Sequence, residues 1–212
     1  MIRLSAVETR PRRDNPGESA HVCRICDAEG PHAAFDAREM MYGSREVFRY
    51  FECRSCGTVQ IETPPDDLGP YYANGYYSFA RKKRDALTAA VKRAEDRLAL
   101  SGRRWPLVKT DRTLRLIGDL GLSTDARVLD VGCGQGVLLS RMKGAGFDRV
   151  EGADPFIDHD RETPEGVPLR KRPVQAVEGT FDLIMFHHSL EHVTDVVGTL
   201  AAAVERLAPG GA

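Results

Sequence analysis

No apolar run in the 212 residues approaches the roughly 20 that a membrane-spanning helix needs. The opening stretch, MIRLSAVETRPRRD, lacks the apolar core of a signal peptide. Net charge is nearly absent, −1 from 30 Lys and Arg against 31 Asp and Glu, which argues against an extreme basic or acidic binder. No internal repeat and no low-complexity tract is visible. With 42% hydrophobic residues the chain reads as an ordinary globular protein, long enough for one large domain or two small ones. Cysteines number five. The expected location is the cytoplasm, where paired cysteines more often mean metal than disulfide.

The near-zero total hides an uneven spread of charge: residues 1–80 carry −3, 81–127 carry +7 and 128–212 carry −5. The polar residues 1–20, with PRRDNPGES, read as a disordered lead-in. Residues 21–63 hold two cysteine pairs, and PPDDLGP at 64–70 is a turn-rich break. Residues 64–109 form a connector: the aromatic YYANGYYSF, then a helix over 82–101 with Leu87, Val91, Ala94 and Leu98 spaced by three and four, stopped near Gly102. A second helix is expected from a cap at Thr110 or Asp111, with Leu114, Ile117 and Leu120 on one face. From Arg127 strands and helices alternate. RVLDV, RVEGAD and FDLIMFH read as strands, RPVQAV as a further one, and VLLSRMKGAG and TDVVGTLAAAVERLA as helices. The fold class is therefore α/β: a Rossmann-like, mostly parallel sheet with flanking helices over residues 110–212, preceded by a small metal module.

The cysteine spacing is C-R-I-C at 23–26 and C-R-S-C-G at 53–57. Two such pairs supply four thiolates, Cys23, Cys26, Cys53 and Cys56, enough to close a tetrahedral structural zinc site. The 26 residues between the pairs exceed the usual spacing, so a long hairpin or loop must lie there. A redox role for one pair is the rival reading. Four cysteines leave no vacancy for His21 or His32, which are expected at the surface. The fifth, Cys133, is read as a small packing residue.

The remaining signal is VLDVGCGQG at 128–136: an apolar run, an aspartate, then glycines at 132, 134 and 136. This is a strand breaking into a tight loop that starts a helix. The dinucleotide fingerprint G-x-G-x-x-G would need its last glycine at Val137, so the loop departs from it. Asp130 should close the first strand and Asp154 the second, where open α/β sheets bind ligands. A carboxylate at Asp154 is placed to accept bonds from two ribose hydroxyls, and the helix start near Gly136 offers free N–H groups.

D-x-G-x-G-x-G, an acid closing the next strand, FDLIMFHHSLEHV and L-x-PGG together resemble the class I S-adenosylmethionine-dependent methyltransferases, over about residues 110 to 212. The resemblance implies S-adenosyl-L-methionine as cofactor. Asp130, Gly132, Cys133, Gly134, Gln135 and Gly136 would lie at its methionine end, Asp154 at the ribose and Pro155 near the adenine, with Gln175 a weak candidate for the adenine amine. The zinc module followed by an aromatic patch is similar to that of sugar C-methyltransferases and polysaccharide-pathway methyltransferases. This favours a small-molecule or sugar-linked acceptor, one that carries phosphate included. Zinc ribbons also serve in RNA methyltransferases, so a nucleic-acid acceptor drawn by the basic helix through Arg81, Lys82, Lys83 and Arg84 is the alternative. A non-catalytic binding protein on the same scaffold is a third.

His187 and His188 end the fourth strand, where the methyl group should be presented, and either imidazole suits a general base. His187 also counts as a cofactor neighbour. Glu191 and His192 open the next helical turn with structural or direct roles. Tyr71, Tyr72, Tyr76, Tyr77 and Ser78 read as a lid, Tyr77 touching the cofactor. The sequence ends at LAPGGA, before the family's fifth strand, so a fragment with an exposed fourth-strand edge is expected.

Overall fold

The computed structural model describes residues 17–40, 43–65, 86–103, 108 and 110–212. Tyr71, Tyr72, Tyr76, Tyr77, Ser78 and the basic run Arg81–Arg84 lie outside these residues. The chain forms two compact units, one up to residue 66 and one from residue 67. Among the described residues no helix is long and apolar enough to cross a membrane.

The first unit is an antiparallel sheet in chain order: β1 (Gly17–Ser19), β2 (His32–Arg38), β3 (Val47–Glu52) and β4 (Val59–Ile61). Pairing of Gly17–Ser19 with β2 starts ordered structure inside the stretch read as a lead-in. The long gap between cysteine pairs is the β2–β3 hairpin, running from Ala33 opposite Glu52 to Arg38 opposite Val47. Each cysteine pair closes a turn of one design. The N–H of Asp27 donates to the Cys23 carbonyl at 3.0 Å, and that of Gly57 to the Cys53 carbonyl at 2.9 Å. Both fifth positions are left-handed, with φ +56° at Asp27 and +73° at Gly57. Glycine adopts that region freely and a short aspartate is among the few side chains that tolerate it.

Among the described residues, the first elements of the second unit are α1 (Ala86–Leu100) and α2 (Arg112–Asp119). The alternating part follows: β5 (Arg127–Val131), α3 (Val137–Ala145), β6 (Arg149–Ala153), β7 (Arg161–Glu162), β8 (Pro168–Arg170), β9 (Leu183–Met185) and α4 (Val196–Val204). Strands lie in the order β7-β8-β6-β5-β9, parallel except for the β7–β8 pair. Alternation along β5 divides the core between the two sheet faces. Val128 packs with Leu114, Leu139 and Met142 on one face, while Leu129 and Val131 pack with Val174, Phe181 and Ala203 on the other.

Four expectations are corrected. The third parallel strand is Pro168–Arg170, and RPVQAV instead makes a 3-10 turn at Val174–Ala176. Val174 and Val177 are both buried, and a spacing of three is what a 3-10 turn places on one side. In α1, Leu87 and Val91 are exposed; the buried residues are Asp96, which pairs with Arg141, and Ala99 and Leu100, which join the core. Leu120 is exposed just past the end of α2, while Leu114 and Ile117 are buried as expected. Finally, the outer edge of β9 is not bare. Residues 207–212 run parallel to it, with a bridge from Leu207 to Phe181 and the Ile184 N–H donating to the Ala212 carbonyl at 3.0 Å.

Candidate functional site

From β5 the chain moves outward to β6 and β8, then returns to lay β9 on the other side of β5, so a crevice must open at the strands' carboxyl ends. A cleft of about 490 Å³ lies there, lined by Asp130 and the loop after β5, Asp154 and Pro155 after β6, and His187 and His188 after β9. Its size suits a drug-sized ligand. The loop is pinned from beneath. The Ser189 hydroxyl donates to the Val131 carbonyl at 2.5 Å. A Cβ at Gly132, itself at φ +77°, would collide with the Ser189 side chain.

Both oxygens of buried Asp154 accept backbone N–H groups, from Gly134 at 2.8 Å and from Phe156 at 2.8 Å. The carboxylate thereby ties the glycine loop to the tip of β6, and each oxygen keeps a lone pair for a ligand. Asp130 differs. It is buried, its Oδ1 has no partner among the described residues, and the His187 N–H is the backbone group that favours its charge. Burial pushes this carboxyl from the ordinary 3.8 up to about 7; the His187 N–H opposes the rise and the nearby Asp154 charge adds to it.

Cys133 also lines the cleft, and its sulfur lies over Gly152 of β6. Burial, then the Asp130 and Asp154 charges, push its thiol far above the usual range, consistent with a packing role. Gln175 enters from the 3-10 turn, with its Nε2 3.5 Å from the Thr199 hydroxyl. Gln135 and Gly136 do not line the cleft; Gly136 lies under Leu169 and Thr163, where it seats α3 on the sheet. His188 has left-handed backbone, φ +57°, and an exposed side chain 3.8 Å from Glu191. His187 is less exposed, and its Nε2 is 3.3 Å from the Thr113 hydroxyl. Burial, then the His188 ring, hold its imidazole below the usual pKa, so it is neutral and able to take a proton near pH 7. His192 lines the cleft, and Glu191 does not.

In the first unit the four thiols of Cys23, Cys26, Cys53 and Cys56 lie within 4.8 Å of one another. Cys23 and Cys56 sulfurs are 3.7 Å apart, as are those of Cys26 and Cys53. Three N–H groups point at the sulfurs: Ile25 to Cys23 and Ser55 to Cys53, each at 3.4 Å, and the Gln60 amide to Cys23 at 2.9 Å. The Thr58 hydroxyl and N–H draw the Cys56 thiol down to about 6. At Cys26 the Ala28 N–H favours the thiolate, but burial and the three neighbouring thiols outweigh it and push it up to about 11. Four such sulfurs cannot all ionise without a cation among them.

His32 is not at the surface as expected; it is buried and stacked on Phe51 at 5.2 Å between ring centroids. Its Nε2 lies 3.1 Å from the Ala28 carbonyl and its Nδ1 accepts the Arg54 N–H at 3.4 Å, so the ring braces one cysteine turn against the other. Gln60 and His32 were both missed in the sequence, because nothing local marks a glutamine in a three-residue strand or a histidine that ties two distant turns. His21 is exposed, as expected.

A parallel sheet with its glycine loop, strand-end carboxylates and cleft at the reversal of strand order defines the class I, Rossmann-like type of nucleotide-cofactor domain. The methyltransferase-domain family matches residues 84–212. The chain belongs to that family, whose cofactor is S-adenosylmethionine. Similar proteins include ubiquinone biosynthesis O-methyltransferases. That of Rhizobium etli is 36% identical over 95 residues, 40% of this chain and 38% of the relative. That of Nitrosospira multiformis is 34% identical over 111 residues, 48% and 44% of the two chains, and that of Xanthomonas oryzae pv. oryzae is 31% identical over 131 residues, 53% and 55%. The chain thus spans between about two fifths and just over half the length of the curated relatives it matches.

The residues fit this cofactor. The unpartnered oxygen of Asp130 offers a buried site for a cationic group such as an ammonium, and Asp154 has free lone pairs for ribose hydroxyls.

Proposed function

We propose that this chain is an S-adenosylmethionine-dependent O-methyltransferase acting on a small-molecule hydroxyl, free or sugar-linked, with a structural zinc ion in its first unit. The observation that carries the reading is the pair of buried carboxylates, Asp130 and Asp154, at the mouth of the parallel sheet beside the glycine loop. Oxygen as the nucleophile follows from the names of the similar proteins. For the metal, a tetrahedron of zinc–sulfur bonds of about 2.3 Å has edges of about 3.8 Å, close to the sulfur separations seen here. Cys23, Cys26, Cys53 and Cys56 would hold it, with His32 and Gln60 fixing the turns that carry them.

The sulfonium of the cofactor supplies an already activated methyl group. Asp130 binds the charged amino-acid end and Asp154 the ribose, with Gly132 and Gly134 giving the close backbone surface and Pro155 and Gln175 the adenine side. The cleft walls align the acceptor oxygen and exclude water. His187 takes the hydroxyl proton; both histidines line the cleft, but the His187 ring is part-buried and neutral near pH 7, whereas His188 turns an exposed ring toward Glu191. Incubation with methyl-labelled S-adenosylmethionine, a mixture of phenolic and sugar hydroxyl compounds and bulk RNA tests the acceptor class. Label is expected in the small-molecule fraction, falling about 100-fold in His187→Ala as for loss of a general base. Label recovered in RNA would overturn the acceptor class.

A further inference from the structure

A chain of polar contacts leads into the cleft from the two helices that precede the sheet, and the methyl-transfer roles above leave it unused. Asp96 on α1 is buried and receives a two-pronged contact from Arg141 of α3: Nε donates to Oδ2 at 3.0 Å and Nη2 to Oδ1 at 2.7 Å. The third arm of the guanidinium, Nη1, donates to Asp111 Oδ2 at 2.9 Å. The other Asp111 oxygen caps α2, accepting the N–H groups of Thr113 at 3.0 Å and Leu114 at 3.2 Å. The Thr113 hydroxyl then meets His187 Nε2 at 3.3 Å.

Each link in this chain is fixed by the one before it. Hydrogen bonds to Asp96 and Asp111 hold Arg141 charged. Burial opposes ionisation of Asp111, but Arg141 and the two backbone N–H groups outweigh it and keep the carboxyl below the usual range. Bidentate guanidinium contacts also fix direction, so α1, α2 and α3 are set in one register. Thr113 is thereby delivered to the wall of the cleft at a defined place, facing one nitrogen of one histidine.

We infer that Thr113 is a positioning residue that holds His187 as the tautomer with Nε2 protonated, leaving Nδ1 as the nitrogen that takes the acceptor's proton. The inference rests on the reading of His187 as the base. The groups around the ring support this sense of the hydrogen bond. Asp111, whose Oδ1 accepts the Thr113 N–H, favours a proton on the ring, and Arg141 opposes it with the smaller effect. Nδ1 has no hydrogen-bond partner among the described residues, so it is the nitrogen free to face a substrate. The charged or titratable groups around the ring are Asp111 before α2, Arg141 on α3, His188 and Glu191 after β9, and Asp130 at the end of β5, which pairs with the His187 backbone and not its ring. Which nitrogen of a histidine carries the proton is set by the bond the other makes, and here Thr113 makes it.

The test is long-range ¹H–¹⁵N NMR of the imidazoles, which reads tautomer and protonation state directly and needs neither cofactor nor acceptor. In the unaltered chain His187 is expected predominantly as the Nε2–H form. Thr113→Val keeps the side-chain volume and the backbone N–H that Asp111 accepts but removes the hydroxyl. It is expected to lower the tautomer ratio about tenfold, the size of one hydrogen bond. Thr113→Ser restores the ratio. A merely structural role would leave the ratio unchanged in a folded Thr113→Val. That result overturns the proposal, as does a dominant Nδ1–H form in the unaltered chain. Because no ligand is present, failure here is separable from failure of cofactor binding.

Discussion

Stripping metal from the four-thiol cluster is expected to unfold residues 17–65 while the parallel-sheet unit stays intact. Among the described residues of the first unit, the buried apolar side chains are Cys23, Ala34, Phe51 and Cys53, two of which are thiols of the cluster. Burying a phenylalanine contributes about 2–3 kcal/mol, whereas ordering each residue's backbone costs about 1–2 kcal/mol. A core this small cannot offset that cost across four short strands. Structural zinc contributes on the order of 10–16 kcal/mol in zinc-finger peptides, and such domains unfold without it. Chelation, or Cys53→Ser, should collapse the dispersed amide signals of residues 17–65 while the signals of residues 110–212 hold their positions. One zinc per chain and the visible absorption of tetrahedral thiolate cobalt on substitution are the accompanying expectations. A chelated protein with an unchanged amide spectrum would show that the cysteines need no metal.

The second large effect sits at Asp130. Its carboxyl holds a proton up to about pH 7 in the fold but loses it near the ordinary 3.8 when unfolded. A folded-state pKa raised in this way makes the folded protein lose stability as pH climbs from about 4 to about 7, because the unfolded chain gives up its proton first. At pH 8 the cost reaches about 4 kcal/mol at most, from about 1.4 kcal/mol per pH unit. Asp130→Asn carries no charge to bury. The ligand-free variant is expected to melt higher than the unaltered protein at pH 8, with the difference vanishing near pH 4. The same substitution removes the charge that meets a cationic group, and S-adenosylhomocysteine should bind it at least tenfold more weakly. Stability and binding therefore move in opposite directions. A variant that follows the original pH curve, or binds with undiminished affinity, would show that Asp130 is neither strained by burial nor used by the ligand.

What the sequence revealed was local. The glycine loop, the Asp111 cap and the cysteine pairs each announce themselves within a few residues, since backbone geometry and short-range hydrogen bonds demand particular side chains there. Alternation of strands and helices from Arg127 marks a parallel sheet with right-handed crossovers, whereas the order β8, β6, β5 and β9 is seen only in the structure. Other features depend on distance. Arg141 meets Asp96 across 45 residues, and no pattern near either one marks the pair. The face of α1 that turns inward carries Asp96, Ala99 and Leu100, and the Leu87 and Val91 stripe turns outward, against the reading from spacing. His32 was misjudged because its place is set by a neighbour two turns away, and PLR was passed over as a strand because its backbone pairing matters more than its composition. Of the two histidines offered as bases, sequence could not choose; burial and the Thr113 contact favour His187.

Cofactor recognition is tested most directly by calorimetric titration of S-adenosylhomocysteine into the zinc-loaded chain, with NADH titrated alongside. Micromolar binding of S-adenosylhomocysteine, lost in Asp154→Ala, and no heat from NADH is the result expected. Binding of NADH in its place would make the glycine loop a dinucleotide site despite Val137 and would contradict the methyltransferase reading.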